Sequence, residues 1–353
     1  GVNGNNNISR YLAYGLYATS GYNGMTGMLP SRVENPDLSW EKVKTLNLGI
    51  SARLFNRIDI DLEYYNKETS DMLMEIPYSY TTGFSGGYGN VATMTNKGFD
   101  FDINAEIIKT KDWRWSLRVN GNYNKNEITK LFQGLDYYTQ STTGMRMQVG
   151  HPYGEFFYVR WYGVDPADGQ NIWLDKNGNK TKTYSDDDKV MTGKTMYAPW
   201  SGGLSTSVSW KGLQLDVQFT GMFGRYMMNN ERFFTENGTF ASSDNQSVTM
   251  LDIWTTPGQI TNIPAADADI QFDTHLLENA DFIRLKMLQL SYTLPKSLMN
   301  STGFIKDCKV YFIGRNLLTW TDFKGYDPEV NSNLTLGNYP NTRQFSAGIQ
   351  LTF

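Results

Sequence analysis

One cysteine, Cys308, and two histidines, His151 and His275, are the scarcest reactive groups in this sequence of 353 residues. A single thiol excludes an internal disulfide and any cysteine-based metal cluster. Neither histidine has a partner at metal-ligand spacing, so both are interpreted as surface-loop residues. The sequence therefore predicts no catalytic residue, no cofactor site and no metal site, and the chain is not expected to be an enzyme.

Long apolar runs are also missing. No run approaches the ~18 residues of a transmembrane helix, which excludes helical membrane spans. The net charge of −4 provides no basic surface for nucleic acid. Apolar residues make up only 40% of the chain, below the usual ~45–50%, whereas aromatic residues reach 14%. This combination is typical of strands that bury one face and carry Tyr and Trp where apolar and aqueous surroundings meet.

Apolar and polar side chains alternate through much of the sequence. From Phe345 to Phe353 every odd position is apolar and every even position is polar or glycine, and Leu213–Phe223 shows the same pattern, interrupted at Gly221 and Met222. These runs are roughly 9–13 residues long, the length that a tilted strand needs to cross a bilayer. About ten spans are predicted, at 10–19, 43–54, 58–69, 97–109, 113–126, 202–210, 213–224, 281–294, 308–319 and 343–353.

The connections between the predicted spans alternate between short and long. The short ones are 55–57, 110–112 and 211–212, with a moderate one at 295–307, and the long ones are 20–42, 70–96, 127–201, 225–280 and 320–342. Tight turns on one side and long extracellular loops on the other are typical of an outer-membrane barrel. A Greek-key sandwich does not sort its loops in this way. The predicted fold is all-β, a transmembrane antiparallel β-barrel.

The segment 155–162 resembles a strand locally. Counting it as a membrane span would place the short turn 211–212 on the extracellular side, together with the long loops. It is therefore assigned to one large extracellular excursion, 127–201. Ten spans without closure leave unpaired backbone groups in lipid. The remaining wall is expected from residues outside this sequence, and 1–353 is interpreted as the C-terminal part of a barrel. The start at Gly1, without Met or a targeting segment, is expected to be processed or truncated.

Several short motifs, each present once, follow one another along the whole sequence. They are Asn35-Pro36-Asp37-Leu38-Ser39-Trp40-Glu41, Asn47-Leu48-Gly49, Tyr64-Tyr65-Asn66-Lys67, Phe282-Ile283-Arg284-Leu285-Lys286, Gly314-Arg315-Asn316-Leu317-Leu318 and Gly325-Tyr326-Asp327-Pro328-Glu329. The series resembles the C-terminal region of SusC/RagA-like TonB-linked outer-membrane proteins, and the terminal Phe353 resembles their barrel-insertion signal. The residues that carry the resemblance are Asn35, Pro36, Trp40, Glu41, Arg284, Leu285, Asn316, Leu317, Asp327, Pro328 and Phe353.

The resemblance implies a bacterial outer-membrane barrel of 22 strands, of which these spans are the last ten, with an N-terminal plug that lies outside this sequence. It further implies that a TonB complex supplies energy through an upstream segment. A SusD-like surface lipoprotein would cap the extracellular loops, and oligosaccharides or peptides would be the cargo. The implied partners are the N-terminal barrel half and plug, the lipoprotein, the TonB complex, outer-membrane lipid and the cargo.

The excursion 127–201 is rich in aromatic side chains, which stack on sugars or pack against peptides when they are exposed. Five of them are candidates for cargo contact: Tyr137, Tyr138, Trp161, Tyr162 and Trp173. The competing interpretation is that most of them fold the loop onto itself or meet a partner protein. Two alternative functions remain at this stage, a passive outer-membrane porin and a surface glycan-binding β-protein.

Overall fold

The computed structural model describes residues 11–84, 86–139, 145–300 and 304–353, with backbone alone at 77, 80 and 300. The chain divides into two compact units. Unit 1 consists of Gly1–Leu48, Glu63–Phe99 and Asn124–Tyr153, and unit 2 of Gly49–Leu62, Asp100–Tyr123 and Gly154–Phe353.

Strands dominate the described residues. In chain order they are β1 (Leu16–Tyr22), β2 (Met25–Arg32), β3 (Lys42–Leu54), β4 (Ile58–Pro77), β5 (Gly86–Lys109), β6 (Trp113–Lys130), β7 (Tyr137–Thr139), β8 (Arg146–Gln148), β9 (Glu155–Tyr158), β10 (Arg160–Val164), β11 (Asn171–Leu174), β12 (Lys180–Thr181), β13 (Val190–Thr195), β14 (Trp200–Trp210), β15 (Leu213–Phe223), β16 (Tyr226–Met228), β17 (Leu277–Asn279), β18 (Phe282–Thr293), β19 (Asp307–Thr321) and β20 (Gln344–Thr352). Two short helices are α1 (Asn230–Thr235) and α2 (Lys296–Asn300).

Nine strands form one sheet whose spatial order follows the chain. The order is β3-β4-β5-β6-β14-β15-β18-β19-β20, and the pairs from β6 to β20 are antiparallel. These nine strands overlap the last nine predicted spans. The first predicted span, 10–19, begins at Arg10, outside the described residues, and overlaps β1, which pairs with β2 in a separate hairpin. The sheet therefore holds nine strands among the described residues, where ten spans were predicted.

Tight turns join the strands where the sequence predicts them. Lys211 (φ 47°) and Gly212 (φ 93°) connect β14 to β15, and Phe55 (φ 53°) and Asn56 (φ 54°) connect β3 to β4. Two successive positive φ angles define a type I′ turn, whose twist matches that of the paired strands. Asn23 (φ 48°) and Gly24 (φ 78°) form a further turn, which connects β1 to β2 within the segment 20–42 that was predicted as a loop. The Asn-Gly dipeptide was a usable sequence signal for this hairpin.

Strands β4 and β5 extend further than predicted. β4 continues to Pro77 and β5 begins at Gly86, so the predicted connection 70–96 is wrong in extent and shrinks to 78–85, of which Ser85 lies outside the described residues. The alternation of hydropathy changes after Asp71, whose φ of 55° is left-handed. Backbone pairing does not require alternation once a strand has left the bilayer, so the sequence pattern ended before the strand did.

The sheet in unit 2 has an apolar face whose side chains are exposed and a polar face whose side chains are hydrogen-bonded. Apolar side chains on one face are exposed, including Ile349 at 67% and Trp113 at 46%. The opposite face is polar: the Arg118 guanidinium donates to both carboxylate oxygens of Asp102, with Nε at 2.9 and 3.0 Å, and Asn122 donates to Asp100. A water-soluble sheet exposes its polar face, so this arrangement indicates an apolar solvent around the sheet.

Candidate functional site

The long segments of unit 2 fold into an ordered assembly, here called the loop platform, made of residues 154–199, 224–281 and 322–343. Its small sheets pair β9 with β13, β11 with both β10 and β12, and β16 with β17. Phe156, Met228, Leu276 and Leu277 form a buried apolar cluster within it. The platform therefore has a core of its own, which holds its polar groups in defined positions.

Trp173 lies inside the platform, with 2% of its side chain exposed. Its indole N–H donates to Oδ2 of Asp273 over 2.6 Å, and Oδ1 of Asp273 accepts the backbone N–H of His275 over 2.7 Å. Burial raises the pKa of Asp273 to about 6 because desolvation outweighs these hydrogen bonds and the attraction of Arg232. The carboxyl group is held in place but is reluctant to ionise.

Trp161 stacks on His275, with ring centroids 4.2 Å apart and an interplanar angle of 23°. The Trp161 indole donates to Asn171 over 2.8 Å, and the Arg232 guanidinium lies 3.1 Å from Nε2 of His275. Arginine is only a donor, so Nε2 accepts and the ring proton resides on Nδ1. Burial, Arg232 and Lys324 lower the pKa of His275 to about 3. His275 is thus a neutral side chain that lies in a loop, as predicted, but its ring is packed against Trp161 and Arg232 and is not free at the surface.

Two buried arginines connect the last loop to the rest of unit 2. Arg284 on β18 donates to Asp327 over 2.5 Å and to Glu329 over 2.7 Å. Arg225 donates to the backbone carbonyls of Pro328, Val330 and Ser332. Each guanidinium satisfies several acceptors of one loop, which fixes the segment 322–343 against the end of the sheet.

Asp327 receives hydrogen bonds from three sides. Besides Arg284, the backbone N–H groups of Asn341 and Glu329 donate to it over 2.8 and 2.9 Å. Burial opposes ionisation of Asp327, but Arg284 and the two N–H groups outweigh burial and hold its pKa below the ordinary value. Asp327 is therefore the anionic centre of this contact.

The residues that carry the family resemblance have structural positions. Leu285 is buried, and Asn316 (φ 52°) occupies a bulge of β19, where its amide donates to the carbonyl of Thr342 over 3.0 Å. Leu317 packs beside Gly314.

In unit 1, the side-chain amide of Asn35 donates to the backbone carbonyl of Tyr88. The Glu41 carboxylate accepts a hydrogen bond from the backbone N–H of Leu73. Pro36 and Trp40 are exposed. Phe353 stacks on Phe304 at 6.2 Å. Most of these contacts join a loop to a strand or to a neighbouring strand.

The five aromatic candidates have different surroundings. Tyr137, in unit 1, is 51% exposed with the Arg146 guanidinium 4.1 Å from its ring centroid, and Tyr162, in unit 2, is 53% exposed with the Lys180 ammonium at 3.8 Å. Tyr138 and Trp161 are partly buried. Trp173 is buried and has no exposed face in this structure. All five stay predicted contacts, and Tyr137 and Tyr162 are the two with the most exposed rings.

Sequence reasoning missed a methionine-lined cavity of about 250 Å³ in unit 1. Met72 and Met74 on β4, Met94 on β5 and Met147 on β8 contribute to its wall, together with Tyr138. A usable signal was present, since Met72 and Met74 recur at the two-residue spacing that places side chains on one face of a strand. The arrangement suits noncovalent binding of apolar groups.

No helix in the described ranges is long and apolar enough to cross a membrane. The sheet has an exposed apolar face, a hydrogen-bonded polar face and ordered loop segments. These features define part of a membrane-spanning β-barrel.

Comparison with known proteins gives the family. Residues 5–253 match the family described as TonB dependent receptor-like, beta-barrel. The chain belongs to this family, in its SusC/RagA-like group, and it is an outer-membrane protein.

Individual relatives agree with this assignment. TonB-dependent receptor P3 of Formosa agariphila is 29% identical over 393 residues, covering 100% of this chain and 38% of that receptor. TonB-dependent receptor SusC of Bacteroides thetaiotaomicron is 26% identical, covering 90% and 32%. The solved RagAB peptide transporter superimposes with a TM-score of 0.91 at 40% identity, covering 99% of this chain and 40% of that one. The chain thus spans two fifths or less of the length of these proteins.

Proposed function

We propose that this chain is the C-terminal barrel segment of a TonB-dependent importer of oligosaccharides or peptides. The observation that carries the proposal is the ordered loop platform at the end of a sheet with a polar face and an apolar, exposed face. A polar interior provides a route through the membrane, and ordered loops can hold cargo above it. Similarity to a RagAB peptide importer, solved in "open-open" and "closed-closed" states, supports import as the activity.

The proposed partners follow from the same likeness. A SusD-like surface lipoprotein binds the extracellular loops, the N-terminal barrel half and plug complete the pore, and the TonB complex supplies energy through an upstream segment. The platform is the surface in this chain that suits the lipoprotein, because its own core keeps it ordered. The exposed aromatic side chains Tyr137 and Tyr162 are proposed to contact cargo, each beside a cationic side chain that also suits an anionic group.

An uptake experiment with the full-length protein tests this function against a passive porin. Cells that carry the full-length protein and its lipoprotein are given labelled oligosaccharides or peptides, with and without a protonophore. Import predicts accumulation above the external concentration that disappears when the proton gradient collapses. Equilibration that is insensitive to the protonophore would instead establish a porin. Extraction of the protein without detergent would favour the surface glycan-binding β-protein, which the exposed apolar face of the sheet argues against.

A further inference from the structure

We infer that the methionine-lined cavity of unit 1 is a subsite for an apolar side chain of a cationic peptide cargo. The inference rests on the proposed importer function and specifies its substrate class. The cavity, here called the methionine pocket, lies where β4, β5 and β6 meet Leu131, Tyr138, Met147 and Tyr153.

The methionine pocket lies on the polar face of the sheet. On β6, Asn124 and Asn126 donate to the side-chain oxygen of Asn96 on β5, over 3.1 and 2.9 Å. Ile128 follows Asn126 by two residues and Met94 precedes Asn96 by two, and both line the pocket. Side chains two residues apart on a strand share a face. The pocket therefore opens on the side that faces the aqueous interior of a barrel, and lipid is not its occupant.

The wall of the pocket is apolar and adaptable. Ala92, Ile128, Leu131 and Met147 form a buried cluster, yet a space of about 250 Å³ beside it stays unfilled. A concave apolar space of this size is suited to a ligand group. Methionine side chains are flexible and polarisable, and they adapt to apolar groups of different shapes.

The chemistry of the wall distinguishes peptide from sugar. A sugar carries a hydroxyl group on nearly every carbon, and each hydroxyl would lose its bonds to water against thioether and aliphatic carbon. An apolar amino-acid side chain has no such groups to desolvate. Glu75 is the one charged residue among the described residues that line the pocket. Its carboxylate attracts an ammonium or guanidinium group next to the apolar side chain and repels an acidic peptide.

The test compares peptides of equal length on the full-length protein with its lipoprotein. The probes are a lysine–leucine hexapeptide, a lysine–serine hexapeptide and a glutamate–leucine hexapeptide. The wild type is expected to bind the lysine–leucine peptide at least about tenfold more tightly than the lysine–serine peptide, because burial of one leucine side chain contributes that much. It is also expected to bind the lysine–leucine peptide more tightly than the glutamate–leucine peptide, because the Glu75 carboxylate repels an acidic peptide. Equal binding of all three peptides would overturn the inference.

Two variants locate the preference in the pocket. Met74→Trp fills the space and is expected to abolish the preference for leucine, whereas Met28→Trp, at an exposed methionine of the β1–β2 hairpin, leaves it intact. Where Met74→Trp fails to reach the outer membrane, Glu75→Gln provides the second variant, and it is expected to reduce the preference for lysine over glutamate peptides. A leucine preference unchanged in Met74→Trp, or a charge preference unchanged in Glu75→Gln, overturns the inference.

Energised uptake separates the failure of this inference from the failure of the proposed function. If the wild type shows no protonophore-sensitive uptake of any cargo, the proposed importer function is contradicted. Protonophore-sensitive uptake of oligosaccharides, without binding of the lysine–leucine peptide, keeps the importer and contradicts the methionine pocket.

Discussion

Arg284 and Asp327 form an ion pair of 2.5 Å between a strand and a loop, and both side chains are almost fully buried. Forty-three residues separate them along the chain. Glu329 accepts a second bond from Arg284 and also contacts Lys286 over 3.1 Å. The loop 322–343 is therefore held to β18 by charges that have little access to water.

Removal of one partner of this ion pair is expected to release the loop. In Arg284→Gln, Asp327 becomes a buried carboxylate without its cation, which costs about 3–5 kcal/mol of local stability. Hydrogen exchange and limited proteolysis of the full-length protein in detergent measure the effect, which should be concentrated in 322–343. Lys44→Gln removes one cation of an exposed pair, 3.7 Å from Glu68, and should change nothing. Equal protection in Arg284→Gln and wild type would show that the loop is held by other contacts.

Asp273 and His275 are expected to respond to pH in opposite senses. Burial raises the pKa of Asp273 from 3.8 to about 6, so its stabilising contribution is full below about pH 4 and is lost as the pH rises through 6. Burial and Arg232 lower the pKa of His275 from 6.5 to about 3, so its contribution is full above about pH 6.5 and is lost as the pH falls. Between pH 4 and 6 the two dependences oppose each other, and the wild-type platform should be nearly insensitive to pH.

Single variants separate the two groups. In Asp273→Asn the histidine dependence remains, and the platform should lose about 1.4 kcal/mol of stability per pH unit on acidification from about pH 6 to pH 4. In His275→Gln the sign reverses, and stability should fall as the pH rises through the same window. Hydrogen exchange of the amides of 273–277 reports both slopes. Flat profiles in both variants would contradict the two shifted pKa values.

A row of glycines allows close approach of β6, β14 and β15. Gly202 pairs with Gly121 on one side and Gly221 on the other, and a methyl group at Gly202 would lie 2.5 Å from the backbone carbonyl oxygen of Asn120. Backbone cannot yield as a side chain does, so Gly202→Ala should destabilise the sheet by about 1–3 kcal/mol. Gly49→Ala is the matched control, with its nearest neighbour at 3.7 Å. The measurement is the temperature at which the folded band on an unboiled gel converts to the unfolded band. A lower conversion temperature in Gly202→Ala, with an unchanged one in Gly49→Ala, would confirm that the destabilisation comes from the steric clash.

Tyr162 and Trp173 are expected to separate binding from stability. Tyr162→Ala removes an exposed ring and should weaken cargo binding while the platform melts normally. Trp173→Ala leaves a cavity and removes the indole partner of Asp273, which costs about 3–5 kcal/mol. Cargo affinity and thermal melting, measured on both variants, distinguish the two roles. Normal affinity in Tyr162→Ala at normal expression would remove Tyr162 from the predicted contacts.

The strands of the sheet were predictable because their information is local. From Phe345 to Phe353 the period of two specifies both the strand and its apolar face, since lipid accepts only apolar side chains on one side. Lys211-Gly212 likewise specifies a turn through the left-handed backbone that glycine accepts at no steric cost. The limits of β4 and β5 were not predictable, because beyond the bilayer the backbone stays paired while the hydropathy pattern changes after Asp71.

The roles of the aromatic and signature residues depended on distant partners. Trp173 was grouped with Tyr162 because both are aromatic residues in one excursion. Trp173 is buried and donates to Asp273, a hundred residues away, whereas Tyr162 is exposed. The motifs around Arg284 and Asp327 indicated the family but not their mutual contact. The methionine pocket likewise requires three strands and a loop to come together. The spacing of Met72 and Met74 places both side chains on one face of β4, but it does not encode that meeting.

The sequence by itself determined that this chain forms a membrane-spanning β-sheet, because alternation and turn chemistry act between residues close in the chain. The SusC/RagA-like type was indicated by the resemblance of its motifs. Only the tertiary structure decided which polar groups are buried, which aromatic side chains remain exposed and where a cavity stays open. Burial and pairing energies depend on groups that are far apart in sequence and adjacent in space, and those distances exist only after folding.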